Sequence, residues 1–181
     1  MRIRFMAAVL AAVAAGACTD RNLTPTGPAT FTVPVQFGTA QHAGQSHGFR
    51  TNLSGGEEVP PNESKATGQA IFQISEDGMA LSYTLIVANI ENVTQAHIHL
   101  APAGVNGGVV AWLYPGGPPA KLIPGRTDGV LAEGVITKAS LVGSLAGKEL
   151  SVLIEAMQAG NTYVNVHTSQ VPGGEVRGQL R

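Results

Sequence analysis

The stretch "ATGQAIFQISEDGMALSYTLIVANI", Ala66 to Ile90, decides the fold. Ala70, Phe72 and Ile74 alternate with polar neighbours, and so do Met79, Leu81, Tyr83, Leu85 and Val87. A period of two is the signature of a strand with one face in a core. "SEDG" from Ser75 to Gly78 joins the two runs, and Asp77 and Gly78 suit the positive φ of a tight hairpin.

Outward from this hairpin the pattern repeats. "FRTNLSG" precedes it, with Phe49, Thr51 and Leu53 on one side; "QAHIHL", "GVVAWLY", "GVLAEGVIT", "TYVNVHT" and "GEVRGQL" follow. Glycine and proline turns separate these runs, and "PGGPPAKLIPG" reads as the longest of them. Eight or nine short strands predict an all-β fold, an antiparallel Greek-key sandwich or barrel. One segment breaks the rule. In "GKELSVLIEAMQAG", Leu150, Leu153, Ile154 and Met157 recur at helical spacing and Gly160 stands at the C-terminal cap, predicting one short helix over 148–159 that covers an open end of the sheets.

The chain has 181 residues, 44% hydrophobic and 13% charged, with 23 glycines. That is enough for one folded domain and too apolar for a disordered one. Arg2 and Arg4 stand before an apolar run, Phe5 to Ala17, shorter than the roughly 20 residues of a membrane span. Residues 1–17 therefore read as a secretory signal peptide. Cys18, the sole cysteine, follows "AAGA" as the lipidated cysteine of a bacterial lipobox does, with Ala15 where leucine is usual. The expected mature protein is exported to the bacterial cell envelope and anchored to membrane lipid through Cys18. Residues 18–46 read as a proline- and threonine-rich tether, in which Pro34 confines "FTVPVQF" to an edge strand, and 47–181 as the domain. Removing residues 1–17 leaves 9 basic against 12 acidic side chains, a formal charge of −3, with no basic patch for nucleic acid.

The chemistry lies in the histidines. On "QAHIHL", Ala96, Ile98 and Leu100 point to the core, which sends Gln95, His97 and His99 to the outer face. Two imidazoles two rises apart, roughly 6.5 to 7 Å at the backbone, can converge on one ion. On "YVNVHT" the same parity sends Tyr163, Asn165 and His167 outward. If the two strands are neighbours, three nitrogens share one face, a set that suits copper or zinc and leaves a coordination position open. The plainer reading is that these polar residues solvate the sheet. His42 and His47 are in or beside the tether; Glu57 and Glu58 read as a solvated loop beside Pro60 and Pro61. Glu175 and Arg177 share an outer face and either pair with each other or place a cation beside the histidines. No nucleophile stands beside a general base, so an enzyme is not the favoured reading. Asn22, Asn52, Asn62 and Asn92 lie in sequons that matter only in a eukaryotic source.

The ordered motifs "LSGGEEVPPNESKATGQAIFQI", "AHIHLAPAGVNGGVVAWLY", "LAGKELSVLIEAMQAGNTYVNVHT" and "PGGEVRGQL" resemble the CHRD domain, the module named for chordin, from about Phe49 to Leu180. The resemblance implies an immunoglobulin-like barrel distantly similar to copper,zinc superoxide dismutases, and no settled biochemical function. His97, His99 and His167 match the copper-ligand strands of those enzymes, and Arg177 looks like their anion-guiding arginine. The bridging histidine, the zinc-loop ligands and the disulfide cysteines have no counterpart. Three readings follow, the last a structural module that packs against neighbouring envelope proteins and holds no metal. The leading one is a lipid-anchored, non-enzymatic CHRD module that binds an envelope protein or a small ligand. The alternative is a copper- or zinc-binding protein with a three-histidine site, open to redox chemistry.

Overall fold

A computed structural model of the chain describes residues 48–181. Seven strands and one helix follow in order: β1 (Gly48–Ser54), β2 (Thr67–Ile74), β3 (Leu81–Leu100), β4 (Gly108–Tyr114), β5 (Ile123–Ile136), α1 (Leu150–Gln158), β6 (Thr162–Thr168) and β7 (Val176–Gln179). Strands β2, β1, β7, β6 and β3 form an antiparallel barrel that closes through β2–β3 pairing, and β4 and β5 are extra strands paired to β3. Of the two architectures expected, the barrel is the one formed. Its wall is uneven: β1 and β2 are paired along their whole length, whereas β1 and β7 share the single ladder pair Ser54↔Arg177.

Alternation places Phe49, Leu53, Ala70, Phe72, Leu81, Leu85, Val87, Ala96, Ile98, Val164, Val166 and Val176 in one buried cluster. Helix α1 adds Leu150, Leu153, Ile154 and Met157 to it, as an i, i+3, i+4, i+7 stripe must when only one side of the helix meets the barrel. The helix occupies 150–158 of the expected 148–159, and Gly160 ends it at φ 68°.

The hairpin forms where expected, with a difference at its tip. Gly78 takes the positive φ, 69°, and Asp77 does not. The Asp77 carboxylate instead accepts hydrogen bonds from the Ser75 hydroxyl at 2.6 Å and the Met79 N–H at 2.9 Å, an aspartate turn that needs no left-handed residue. Met79 falls in the turn, 64% exposed, outside the inward row.

Two strand boundaries differ from the sequence reading. "MALSYTLIVANI" and "QAHIHL" belong to one 20-residue strand, β3. Asn89 and Asn92 adopt φ 57° and 54° within it, the left-handed conformation asparagine tolerates best after glycine, and the register against β5 shifts at both points. There β3 turns a corner: residues 81–88 pair with β2, and 93–100 pair with β6 and β4. The other difference is β5, which starts at Ile123 inside the stretch read as a turn. It pairs with β3 and is mostly exposed, so no core imposes the alternation that reveals a strand.

Candidate metal centre

The corner in β3 carries "HIH" to the middle of a sheet, with β4 on one side and β6 on the other. Ala96 and Ile98 are fully buried in the core. His97 and His99 lie on the opposite face, as parity requires. Strand β6 is the neighbour the sequence could not prove: His99 pairs with Tyr163, His97 with Asn165 and Gln95 with His167. His167 thus sits one position along from His97 on the same face, within reach on the diagonal.

That face is not solvated. His97 is 3% exposed, His99 8% and His167 6%, and all seven residues of β6 are buried. The reading of polar residues wetting an outer sheet is corrected here, because three segments remote in sequence roof the face. The loop between β3 and β4 brings the Gly107 carbonyl to 2.9 Å from His99 Nδ1. The segment before β7 brings the Pro172 carbonyl to 2.9 Å from His167 Nδ1. Asn106 donates to the Val59 carbonyl at 2.7 Å, tying the first of these to the turn after β1. Trp112, opposite His97 on β4, meets the His97 ring edge-on at 4.3 Å.

These contacts orient the imidazoles. A carbonyl can only accept, so Nδ1 of His99 and of His167 carries the proton and Nε2 presents its lone pair. His97 Nδ1 lies 3.2 Å from His167 Nε2. Two nitrogens each 2.0 to 2.1 Å from a tetrahedral ion are about 3.3 Å apart. One ring nitrogen from each histidine falls within 4.8 Å of the others. Nε2 of His97 and of His99 is buried and has no hydrogen-bond partner within the chain. Backbone carbonyls bonded to the far nitrogen of two of the three rings are the outer support that metal-ligating histidines ordinarily have. The donor set fits copper or zinc.

Electrostatics keep the rings ready. Burial, with help from the His167 and His99 rings, pushes His97 from 6.5 down to about 3. Burial is also the main cause holding His99 and His167 below the ordinary value, opposed by their bonds to Gly107 and Pro172. All three are neutral at neutral pH, the state in which imidazole binds metal.

Arg177 sits on the same face, 2% exposed and opposite Asn165 on β7. The row His97–Asn165–Arg177 crosses three adjacent strands, roughly 10 Å from first to last at the backbone. The guanidinium carbon lies 3.4 Å over the Tyr163 ring, and its nitrogens donate to Asn106 Oδ1 at 3.0 Å and the Val105 carbonyl at 2.9 Å. Tyr163 also stacks on His99, centroids 4.7 Å apart and 6° from parallel. The expected Glu175–Arg177 pair does not form: Glu175 accepts from the hydroxyls of Ser64 at 2.7 Å and Thr168 at 2.6 Å, which lie closer to it than the loop-bound guanidinium.

The expectation that Glu57 and Glu58 form a solvated loop is corrected at Glu58. Glu57 is exposed as a solvated loop residue should be, but Glu58 is 5% exposed. Desolvation raises its carboxyl from 4.5 to about 7, against the lowering influence of Arg177, the Val59 N–H and Asn165. Nothing in "GGEEVPPNES" signals this, since what buries Glu58 comes from the far end of the chain. The contacts of Tyr163, Asn106 and Gly107 are hidden from the sequence for the same reason. Cys18, His42 and His47 lie outside the described residues.

The family model described as the CHRD domain matches residues 49–180, well over half of the chain. No curated protein matches, and no solved structure does.

Proposed function

The chain belongs to the CHRD domain family, and from that premise we propose that it is a metal-binding module holding one copper or zinc ion on His97, His99 and His167. The observation that supports this reading is the convergence of three neutral, buried imidazoles, two of them pinned by carbonyls at the nitrogen that would not ligate. Residues that merely solvate a sheet are not buried together with their ring nitrogens unpartnered. The reading of a metal-free interaction module leaves the convergent His99 Nε2 without a role, which favours the alternative from the sequence. A bound ion with three protein ligands keeps a position for an exogenous ligand and, if it is copper, can change oxidation state. In this reading the chain's residues do the rest: Gly107 and Pro172 fix the ring orientations, the roof limits water, and Arg177 sets a positive charge near an incoming anion.

Metal analysis tests this. Mature protein purified from cells grown with added copper, and separately with added zinc, should carry close to one equivalent of metal; less than a tenth of an equivalent from both cultures would sink the reading. We further propose that the protein is exported and anchored in the cell envelope through a lipidated Cys18. The charged, apolar leader and the single positioned cysteine support this. Labelled palmitate should enter the wild type and be lost in Cys18→Ser, and an unlabelled wild type would refute the anchor.

A further inference from the structure

Glu58 is the one buried acid among the described residues. Its Oε1 is sealed from solvent and has no hydrogen-bond partner within the chain. A side chain on Gly174 would run into the Glu58 carboxyl and the Asn165 amide, so glycine there makes room for the group. Asn165 acts on both Glu58 and His99, yet its Oδ1 and His99 Nε2 remain without a closed hydrogen bond. Asn165 thus links the two sides: it meets Glu58 at Gly174 and stands opposite His97 and beside His99, and Glu58 Oε1, Asn165 Oδ1 and His99 Nε2 are all buried and unpartnered.

Charge gives this neighbourhood a direction. Arg177 is permanently cationic and fully buried, and its recorded partners, Asn106 and the Val105 carbonyl, are neutral. Among the described residues the ion pairs are Arg126–Asp128 and Lys138–Glu149, both at the surface, so Arg177 has no carboxylate in direct contact. A dication on three neutral imidazoles adds positive charge one strand beyond Asn165. Buried charge of one sign is costly unless a counter-charge appears near it. Arg177 from β7 is the charged group that acts on Glu58; Asn165 from β6 and Gly174 are neutral.

We propose that Glu58 is the charge-compensating residue of the metal centre, holding a proton when the site is empty and releasing it to solvent as the cation enters, so that metal uptake is coupled to pH through a side chain that is not a ligand. This inference rests on the metal-binding reading above. The exchange balances: protonated Glu58 and a free dication give ionised Glu58, bound dication and one proton. Burial holds all three histidines below their ordinary value, whereas Glu58, buried, unpartnered and held up to about 7, keeps most of its proton at pH 6.5. Below that value the affinity should fall by up to tenfold per pH unit, the slope of a one-proton linkage.

The test uses the mature chain and zinc as a redox-silent probe. Calorimetric titration at pH 6.5 in two buffers of different protonation enthalpy counts the protons released. Wild type should release most of one proton more than Glu58→Gln does, and Glu58→Gln should bind zinc about tenfold more weakly at pH 7.5. Zinc binding by both proteins with equal proton release would overturn this inference and assign the proton to metal-bound water, leaving the metal reading intact. No zinc uptake by the wild type would remove the metal reading and this inference together. Should Glu58→Gln fail to fold, the wild type decides: the carboxyl resonance of Glu58 should shift its titration midpoint below 6 on zinc addition, and an unmoved midpoint overturns the role.

Discussion

His167→Ala is expected to weaken copper or zinc binding by more than a hundredfold while the barrel stays folded. His167 supplies the nitrogen 3.2 Å from that of His97, and without it two ligands remain on one strand with no partner across the ladder. Loss of an outer hydrogen-bond partner alone costs a metal site ten- to a hundredfold, and loss of a ligand costs more. The ring lies on the face away from the apolar core, so truncation leaves a polar gap under the roof and spares the packing inside the barrel. Competition against a chromophoric chelator measures the affinity, and circular dichroism checks the fold. Wild-type affinity in a folded variant would mean that these imidazoles do not hold the ion.

The metal-free domain should lose stability as pH falls from 6.5 toward 3. His97 has a folded pKa of about 3 against 6.5 when unfolded, so between these values the unfolded chain binds a proton that the folded one refuses. Its contribution is present above 6.5 and is lost as pH drops through the window, about 4 to 5 kcal/mol over the full range. His99 and His167 act in the same direction. Glu58 opposes them. Its folded pKa is raised to about 7, so its contribution is present below 4.5 and is lost as pH rises to 7, on the order of 3 kcal/mol. Between pH 5 and 6.5 His97 roughly offsets Glu58, and the lowered His99 and His167 tip the balance. Urea midpoints should therefore fall from pH 6.5 to pH 5, and a variant lacking all three histidines should show the reverse slope from Glu58. An unchanged midpoint over that range in the wild type would contradict the burial of the rings.

What the chain reveals about itself divides along a physical line. Local periodicity shows whether a strand has a core on one side, and it placed Ala96, Ile98, Val164 and Val166 inward. The spacing of Leu150, Leu153, Ile154 and Met157 and the glycine at 160 marked the helix to within two residues. The parity of His97, His99 and His167 put all three on one face. What periodicity cannot show is a second covered face. Polar residues under a roof alternate in sequence just as polar residues in water do. The contacts that build the roof join residues 47 positions apart between Val59 and Asn106, and 71 apart between Asn106 and Arg177. Glu58 looked solvated for that reason. The exposed β5 was read too short for the opposite one, since without burial there is no alternation to read.

An ion bound on the three histidines would have to pass the roof over them, and the barrel wall has one weak boundary. Seven ladder pairs join β1 to β2, but a single pair, Ser54↔Arg177, joins β1 to β7. Local openings follow the weakest hydrogen-bonded boundary, at a fraction of the free energy of global unfolding. The seam between β1 and β7 is that boundary, and it runs through Arg177. Parting it would draw the turn carrying Glu58 away from Asn165 and Arg177, which stay paired on β6 and β7, so the strand edge that opens most readily is the one that carries the buried acid.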